Sequence, residues 1–342
     1  MKMNYNFTNI LFLNMMFFST IFSISSLSMI NMWMGMEVNL ISFIPLMINF
    51  NNKLSSESIM SYFVIQSLSS ANFLFGVIFL ILFNKWYMNN FIVFNNLLIF
   101  LMINISLLMK MGAAPFHFWF PKVMKGLNWQ NCFILSTWQK IIPMITLSNC
   151  FLNKMMMISI ILSAMIGSMM GLNQTSLMLL MSYSSISHIS WMLCSLMIKL
   201  NLWTIYFSVY SFINFILMMT FNYLKLYQIN QIYSNKSMNI MINYSIFMNL
   251  ISLGGLPPFL GFMPKWLMIN FLIINKFYMI TLILMMSSLM NLFFYLKISY
   301  SFFMMNFFEI KHNKIFMSNN FIILLFSFFS MFGLILINFI PI

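Results

Sequence analysis

The chain has 342 residues, enough by length for two or three soluble domains, yet 62% of them are hydrophobic and 6% charged, where a soluble domain carries about a quarter. So few charges cannot cover a surface facing water, and lipid must do most of the solvating. The net charge of +13 comes from 16 lysines, with no arginine, against Glu37, Glu57 and Glu309; the lysines stand singly between apolar stretches, which argues against nucleic acid as a partner.

A helix needs about 20 apolar residues to cross the hydrocarbon of a bilayer. Runs of that length, separated by Asn, Lys, Ser and Gly, predict spans over 7–28, 30–49, 57–83, 92–112, 128–150, 154–171, 175–198, 202–224, 240–274, 277–304 and 320–340. The fold class is therefore an all-α polytopic membrane protein of about eleven transmembrane helices, and the ninth run is too long for one straight helix. No alternation of the β-barrel kind accompanies the runs. If the amino terminus faces the matrix, one side holds Lys2, Lys53, Lys122, Lys125, Lys225, Lys236, Lys311 and Lys314 and the other Lys85, Lys154, Lys199 and Lys276. Positive charge favours the non-translocated side, so the expectation is an amino terminus in the matrix and a carboxyl terminus in the intermembrane space.

Two places break the helical pattern. One is Gly112-Ala113-Ala114-Pro115-Phe116-His117-Phe118-Trp119-Phe120-Pro121-Lys122, the other Gly255-Leu256-Pro257-Pro258-Phe259-Leu260-Gly261-Phe262-Met263-Pro264-Lys265. Both read Pro-Phe, four residues, then Pro-Lys, and they lie 143 positions apart (258 less 115). Proline lacks the backbone donor and clashes with the preceding turn, so each site interrupts its helix. Such breaks survive in a membrane only inside protein or beside a watery cavity, and a pair of them in two halves of a chain points to a transporter with inverted repeats. The chain then reads as one integral membrane domain, 1–342, with repeat halves 7–150 and 154–304 and a final helix at 320–340. Lys125 and Gly126, after the first break, read as a loop with a matrix-facing anchor.

A lysine at the centre of a membrane helix costs ~2.5–3.5 kcal/mol on insertion scales, which fits the placement of most lysines at span ends. Lys110, Lys140, Lys265 and Lys297 fall elsewhere, and Glu37 sits inside the second span. Desolvation disfavours a charged amine and a nearby carboxylate favours it, so a row of buried lysines can pass protons near neutral pH, which arginine cannot do. Each has a plainer alternative. Lys110 and Lys297 lie within snorkelling reach of span ends, Lys265 can be a helix-end lysine, and Glu37 a structural partner. Lys140, followed by Pro143, is the hardest to excuse. His117 and His188 are secondary relay candidates, or hydrogen-bonded packing residues. Glu57 follows Ser55-Ser56 at the start of a span and reads as a cap.

Three dispersed cysteines, Cys132, Cys150 and Cys194, imply neither a disulfide framework nor a metal cage. No phosphate loop, Cys cluster or HExxH run indicates a nucleotide, iron–sulfur or zinc site, so no cofactor is expected on this chain and any electron transfer runs elsewhere. Residues with A/T-rich codons dominate, Phe (42) and Met (41) among them. The start, MKMNYNFTNILFL, lacks the amphipathic pattern of a transit peptide. Synthesis inside a mitochondrion explains both.

The stretches Trp33 to Asn39, Lys110 to Trp119, Thr137-Trp138-Gln139-Lys140, Gly171 to Thr175, Ser184 to His188 and Ser252 to Pro258, the last continuing through Gly261 to Lys265-Trp266, carry a resemblance. Together they resemble the subunit 2 family of animal mitochondrial NADH dehydrogenase, antiporter-like membrane subunits of respiratory complex I. The resemblance implies an inner-membrane protein translocating protons, with other membrane subunits of the complex and the lipid bilayer as partners. It also implies that Glu37 and Lys110 form a modulating ion pair, that Lys140 is the middle of a proton path and Lys265 its far lysine, and that inverted repeats of five helices form the core. Animal members look shortened by three amino-terminal helices, which fits eleven spans, and the end at Pro341-Ile342 lacks the long lateral helix of the most distal antiporter-like subunit. Met178-Leu179 stands where the family usually has Arg-Lys, and Ser61 where it has lysine. Lys122, the repeat-mate of Lys265, falls at a variable family position and is left outside the path.

Overall fold

The computed structural model describes residues 7–48, 53–86, 92–234, 240–305 and Ser330. The span expected at 320–340 lies outside these residues apart from Ser330, as do Lys2, Lys236, Lys311 and Lys314. Among the described residues the backbone is almost wholly helical, with no strand and an isolated bridge between Ser176 and Gln228. Six helical stretches are long and apolar enough to cross a membrane: Phe7–Ser25, Leu54–Phe83, Asn153–Leu172, Leu177–Ile198, Leu200–Leu224 and Tyr278–Ser299. Shorter apolar helices accompany them at Leu97–Met111, Tyr244–Gly254 and Phe262–Ile274. The fold is an all-α polytopic membrane fold, and the chain divides into two compact units, 1–159 and 160–342.

The first unit begins with a helical hairpin, α1 (Phe7–Ser25) and α2 (Met29–Met47). Ser28 caps α2 by accepting the Asn31 N–H at 3.3 Å, relieving one of the donors that a helix start leaves unpaired. The hairpin closes tightly because Gly35 has no side chain: a Cβ there would lie 2.6 Å from the Ser23 Cβ and 3.1 Å from the Ser19 carbonyl oxygen. Next comes α3 (Lys53–Trp86), 34 residues or about 50 Å at the helical rise, packed on α2 and on α4 (Ile92–Met111).

Two expectations change beyond α4. The segment around Lys125 and Gly126 is helix α5 (Trp119–Gly126), not a loop. Lys122 and Lys125 share its exposed face, while Trp119, Phe120, Val123 and Met124 are buried. Gly126 serves close approach, since a Cβ would meet the Leu54 carbonyl oxygen at 2.5 Å. The span expected at 128–150 is two helices, α6 (Trp129–Ser136) and α7 (Trp138–Asn149), parted at Thr137 (φ −118°, ψ −70°). The Thr137 hydroxyl donates to the Phe133 carbonyl at 2.7 Å, a local bond of the kind that competes with helix continuation.

The boundary between the units falls within α8 (Asn153–Leu172). In the second unit α9 (Leu177–Ile198) is almost wholly buried and packs on α10 (Leu200–Leu224), α13 (Phe262–Ile274) and α14 (Tyr278–Met305). Six serines of α9, Ser182, Ser184, Ser185, Ser187, Ser190 and Ser195, each donate to the carbonyl three residues back at 2.6–2.8 Å. No hydroxyl proton of that set is therefore stranded in an apolar core. A short helix, α11 (Ile229–Ser234), leads to α12 (Ile240–Gly254), and the expected ninth span is divided between α12 and α13 by residues 255–261.

The Gly35 contact sets a test. Gly35→Val must push α1 from α2, an overpacking cost of about 1–3 kcal/mol, and should lower the melting temperature of the detergent-solubilised protein; an unchanged melting curve would show that the hairpin is not closed as described.

Candidate functional site

Each break starts from a glycine in the left-handed region. Gly112 (φ +71°) ends α4 in a Schellman arrangement: its N–H meets the Met109 carbonyl at 3.2 Å and the Ala113 N–H the Leu108 carbonyl at 3.1 Å. A side chain at Gly112 would be strained by that φ and would press on the Phe120 Cβ at 3.1 Å. Gly255 (φ +84°) ends α12 with its N–H on the Ile251 carbonyl at 3.0 Å, the simpler left-handed cap.

The last carbonyls of each helix still need donors. In the first unit neutral side chains supply them: the Gln66 amide donates to the Lys110 carbonyl at 3.1 Å and the Trp119 indole to the Met109 carbonyl at 3.0 Å. The Lys110 ammonium is therefore spared that duty. Its side chain is 6% exposed, so it is buried rather than snorkelling, and Nζ lies 3.5 Å from the Met36 sulfur. Half-buried Glu37 follows Met36 and acts on Lys110 and on Tyr62 through its charge, although no ion-pair contact within 4.0 Å joins it to Lys110.

Lys140 is 1% exposed and stands in the first turn of α7, its N–H on the Thr137 carbonyl at 3.1 Å and its amine 5.2 Å from the centre of the Phe120 ring. Its neighbours fix that turn on other helices. The Trp138 ring meets Phe17 of α1 edge-on at 4.5 Å, and the Gln139 amide donates to Asn39 Oδ1 at 3.1 Å and accepts from the Tyr62 hydroxyl at 3.4 Å. Tyr62 and Gln66 are one turn apart on α3, so a single face of that helix touches both lysine-bearing segments. His117 lies in the first break, buried, with its ring 4.3 Å from Phe118 and its carbonyl accepting the Phe120 N–H at 3.0 Å. No hydrogen bond joins His117 to Lys110.

In the second unit the lysine itself caps the break. Lys265, 5% exposed and in the first turn of α13, donates to the Leu253 and Gly254 carbonyls at 3.1 and 2.8 Å. Its side chain lies over Gly255, where a Cβ would meet Cδ and Nζ at 2.9 Å. Gly261 is confined in turn, because a Cβ there would collide with the Ser252 carbonyl oxygen. His188 Nδ1 is 2.8 Å from the Tyr206 hydroxyl, and its ring is 4.9 Å from that of Tyr210. These three side chains line a small cavity with Ser252, Leu253 and Pro264, which brings the histidine to the α12 break. Lys297 on α14 is exposed and does not line this cavity. Ser61 donates to its own helix at the Ser58 carbonyl, and Met178 is buried at the start of α9. Among the described residues no group of three or more His, Cys, Asp or Glu side chains could hold a metal ion.

A family model described as NADH:quinone oxidoreductase/Mrp antiporter, transmembrane, matches residues 26–291. The NADH-ubiquinone oxidoreductase chain 2 of Anopheles gambiae is 47% identical over 339 residues, 97% of each chain. The chain belongs to this family. A chain of respiratory complex I from Thermus thermophilus shares the fold with a TM-score of 0.82 at 18% identity, over 97% of this chain and 77% of that one. A chain of the Mrp complex from Dietzia sp. aligns with a TM-score of 0.76 at 14% identity, over 84% and 59%. At such identities the likeness is one of fold.

Gln66, Tyr62, Asn39 and Gln139 carry no assigned role in the sequence reading, although Asn39 and Gln139 fall inside motif stretches; neutral polar side chains give no charge signal to single them out. Gln66→Leu should leave the Lys110 carbonyl without its donor, at about 1–3 kcal/mol, and shift thermal unfolding downward; a melting temperature equal to that of the parent protein would remove Gln66 from the cap.

Proposed function

We propose that this chain is a proton-translocating membrane-arm subunit of an NADH:ubiquinone oxidoreductase, carrying protons through Lys110, Lys140 and Lys265 under the control of Glu37. The observation that carries the reading is the shared setting of the three lysines. Each is buried, and each lies at a helix end created by a break inside the membrane domain. Burial of so many cations costs far more than a structural helix needs, whereas amines shielded from bulk solvent can gain and lose protons near neutral pH. Electron transfer on other subunits would change the electrostatics of Glu37 and Lys110 and drive protons toward Lys140 and Lys265. His117 and His188 are secondary relay candidates, His188 with the stronger support from its Tyr206 bond and cavity. Exposed Lys297 has the least.

The same reading makes the protein a multi-pass component of the mitochondrial inner membrane, amino terminus in the matrix, built of two inverted repeats and bearing no redox group. Its partners are the other membrane subunits of the complex. Two rivals stand beside it, a free-standing cation/proton antiporter built on the same fold and a structural linker whose buried charges only hold neighbouring subunits together.

Lys140→Met and Lys265→Met should each clearly lower protons pumped per electron, since methionine can neither take up nor release a proton, with the complex still assembled. Proton pumping into vesicles at measured NADH oxidation reads this, and a parental ratio in either variant would dismiss that lysine from the path. Sodium-for-proton exchange by the isolated chain in vesicles would favour the antiporter instead.

A further inference from the structure

We infer that Gln139 is a positioning residue for Lys140, its amide fastening the first turn of α7 to α2 and α3. The inference rests on the proton-path reading and adds to it a residue with no charge of its own.

The first turn of α7 lies between two defects in its backbone. Before it, Thr137 is a distorted helical residue (φ −118°, ψ −70°) whose N–H and hydroxyl both turn to the Phe133 carbonyl, at 3.0 and 2.7 Å. After it, Pro143 lies inside the helix. A proline has no N–H for the carbonyl four residues back and crowds it, and here that carbonyl belongs to Gln139. The turn carrying Lys140 thus follows a distorted residue and loses a backbone tie at its far end, which leaves side chains a share in setting its position.

Three consecutive side chains leave the turn in different directions. Trp138 goes to Phe17, Lys140 to the Phe120 ring, and Gln139 to Asn39 and Tyr62. The Gln139 contact has direction as well as surface. Its nitrogen donates to Asn39 at 3.1 Å and its oxygen accepts a longer contact from Tyr62 at 3.4 Å, so both halves of the amide face a polar partner. The Met16 sulfur lies 3.8 Å from the same nitrogen. Asn39 is 3% and Tyr62 1% exposed, so the partners are held by packing: Tyr62 sits between the rings of Phe43 and Trp119, at 5.4 and 6.0 Å.

The partners also tie the turn to the other charges. Asn39 lies two residues beyond Glu37 on α2, and Tyr62 lies within the field of Glu37. One turn along α3, Gln66 holds the Lys110 carbonyl. A shift of α2 or α3 on a change of charge at Glu37 or Lys110 is therefore delivered through the Gln139 amide to the residue preceding Lys140. Proton transfer depends steeply on distance and alignment, so a turn that floats by a fraction of an ångström loses transfer without losing its lysine.

The test uses the assembled complex carrying Gln139→Leu, Gln139→Asn and the reciprocal swap Asn39→Gln with Gln139→Asn, with Lys140→Met in parallel. Protons per electron are measured in vesicles together with the apparent KM for NADH. Q139L should lower protons per electron about threefold or more while the KM is retained. Q139N, one methylene short of Asn39, should also fall, and the swap, which restores the combined reach, should recover most of the loss. Mere instability would reduce the amount of complex but not this ratio. A parental ratio in Q139L overturns the proposal, and so does a swap no better than Q139N. Should Q139L fail to assemble, Q139N and the swap decide the matter alone. If K140M itself pumps at the parental ratio, it is the path through Lys140 that has failed, an outcome separate from a failure at Gln139.

Discussion

A broken helix inside a bilayer leaves carbonyls that must find donors within the protein or a cavity, and much of this structure follows from how they are satisfied. At α4 the donors are neutral, the Gln66 amide and the Trp119 indole. At α12 the donor is the ammonium of Lys265, which takes two carbonyls at once. The two breaks share a left-handed glycine and a Pro-Phe pattern 143 positions apart, but their electrostatics differ. In the first unit the lysine at the break is released from structural duty, and its amine faces Met36 and the field of Glu37. In the second unit the cation is part of the scaffold, and any change in its protonation acts on the end of α12 directly.

The same constraint explains where the lysines can be tolerated. An interior lysine in an unbroken helix finds only apolar neighbours and its own closed backbone. A break turns mid-membrane positions into helix ends, with partial charges that mid-helix positions lack. Lys110 lies in the last turn of α4, the end complementary to a cation. Lys265 begins α13, the uncomplementary end, but its amine reaches across to the negative end of α12. Lys140 also begins a helix, α7, and its amine lies over the Phe120 ring, whose face attracts a cation. Three lysines thus meet one difficulty by three local means, each dependent on a break.

Much of this was legible in the sequence. Apolar runs placed the spans, and glycine with proline placed the breaks at 112–121 and 255–264, because those residues act on their own backbone wherever they stand. The division at Thr137 was hidden: threonine is ordinary in a helix, and Pro143 announces a defect whose effect is felt at residue 139. Helix α5 was misread for the opposite reason. Gly126 resembles a loop residue until the Leu54 carbonyl is seen against it, a long-range contact that no local pattern contains. Lys110, Lys140 and Lys265 stood out because charge is rare in this chain, and burial separates Lys110 from Lys297, which also lay within snorkelling reach of a span end. Gln66 and Gln139 had no such mark.

What the neutral side chains add is orientation. A charged pair in a low-dielectric core interacts over many ångströms with little dependence on angle, so Glu37 can influence Lys110 and Tyr62 without a hydrogen bond or ion-pair contact to either. That makes charge a good sender of a signal and a poor holder of a position. An amide that donates on one side and accepts on the other tolerates much less movement, and α3 presents Tyr62 and Gln66, one turn apart, to the two segments that bear lysines. The division of labour between long-range charge and short-range amides is what allows a small shift in one helix to reach a defined atom in another, and it requires the breaks, since a continuous helix has no loose turn to move.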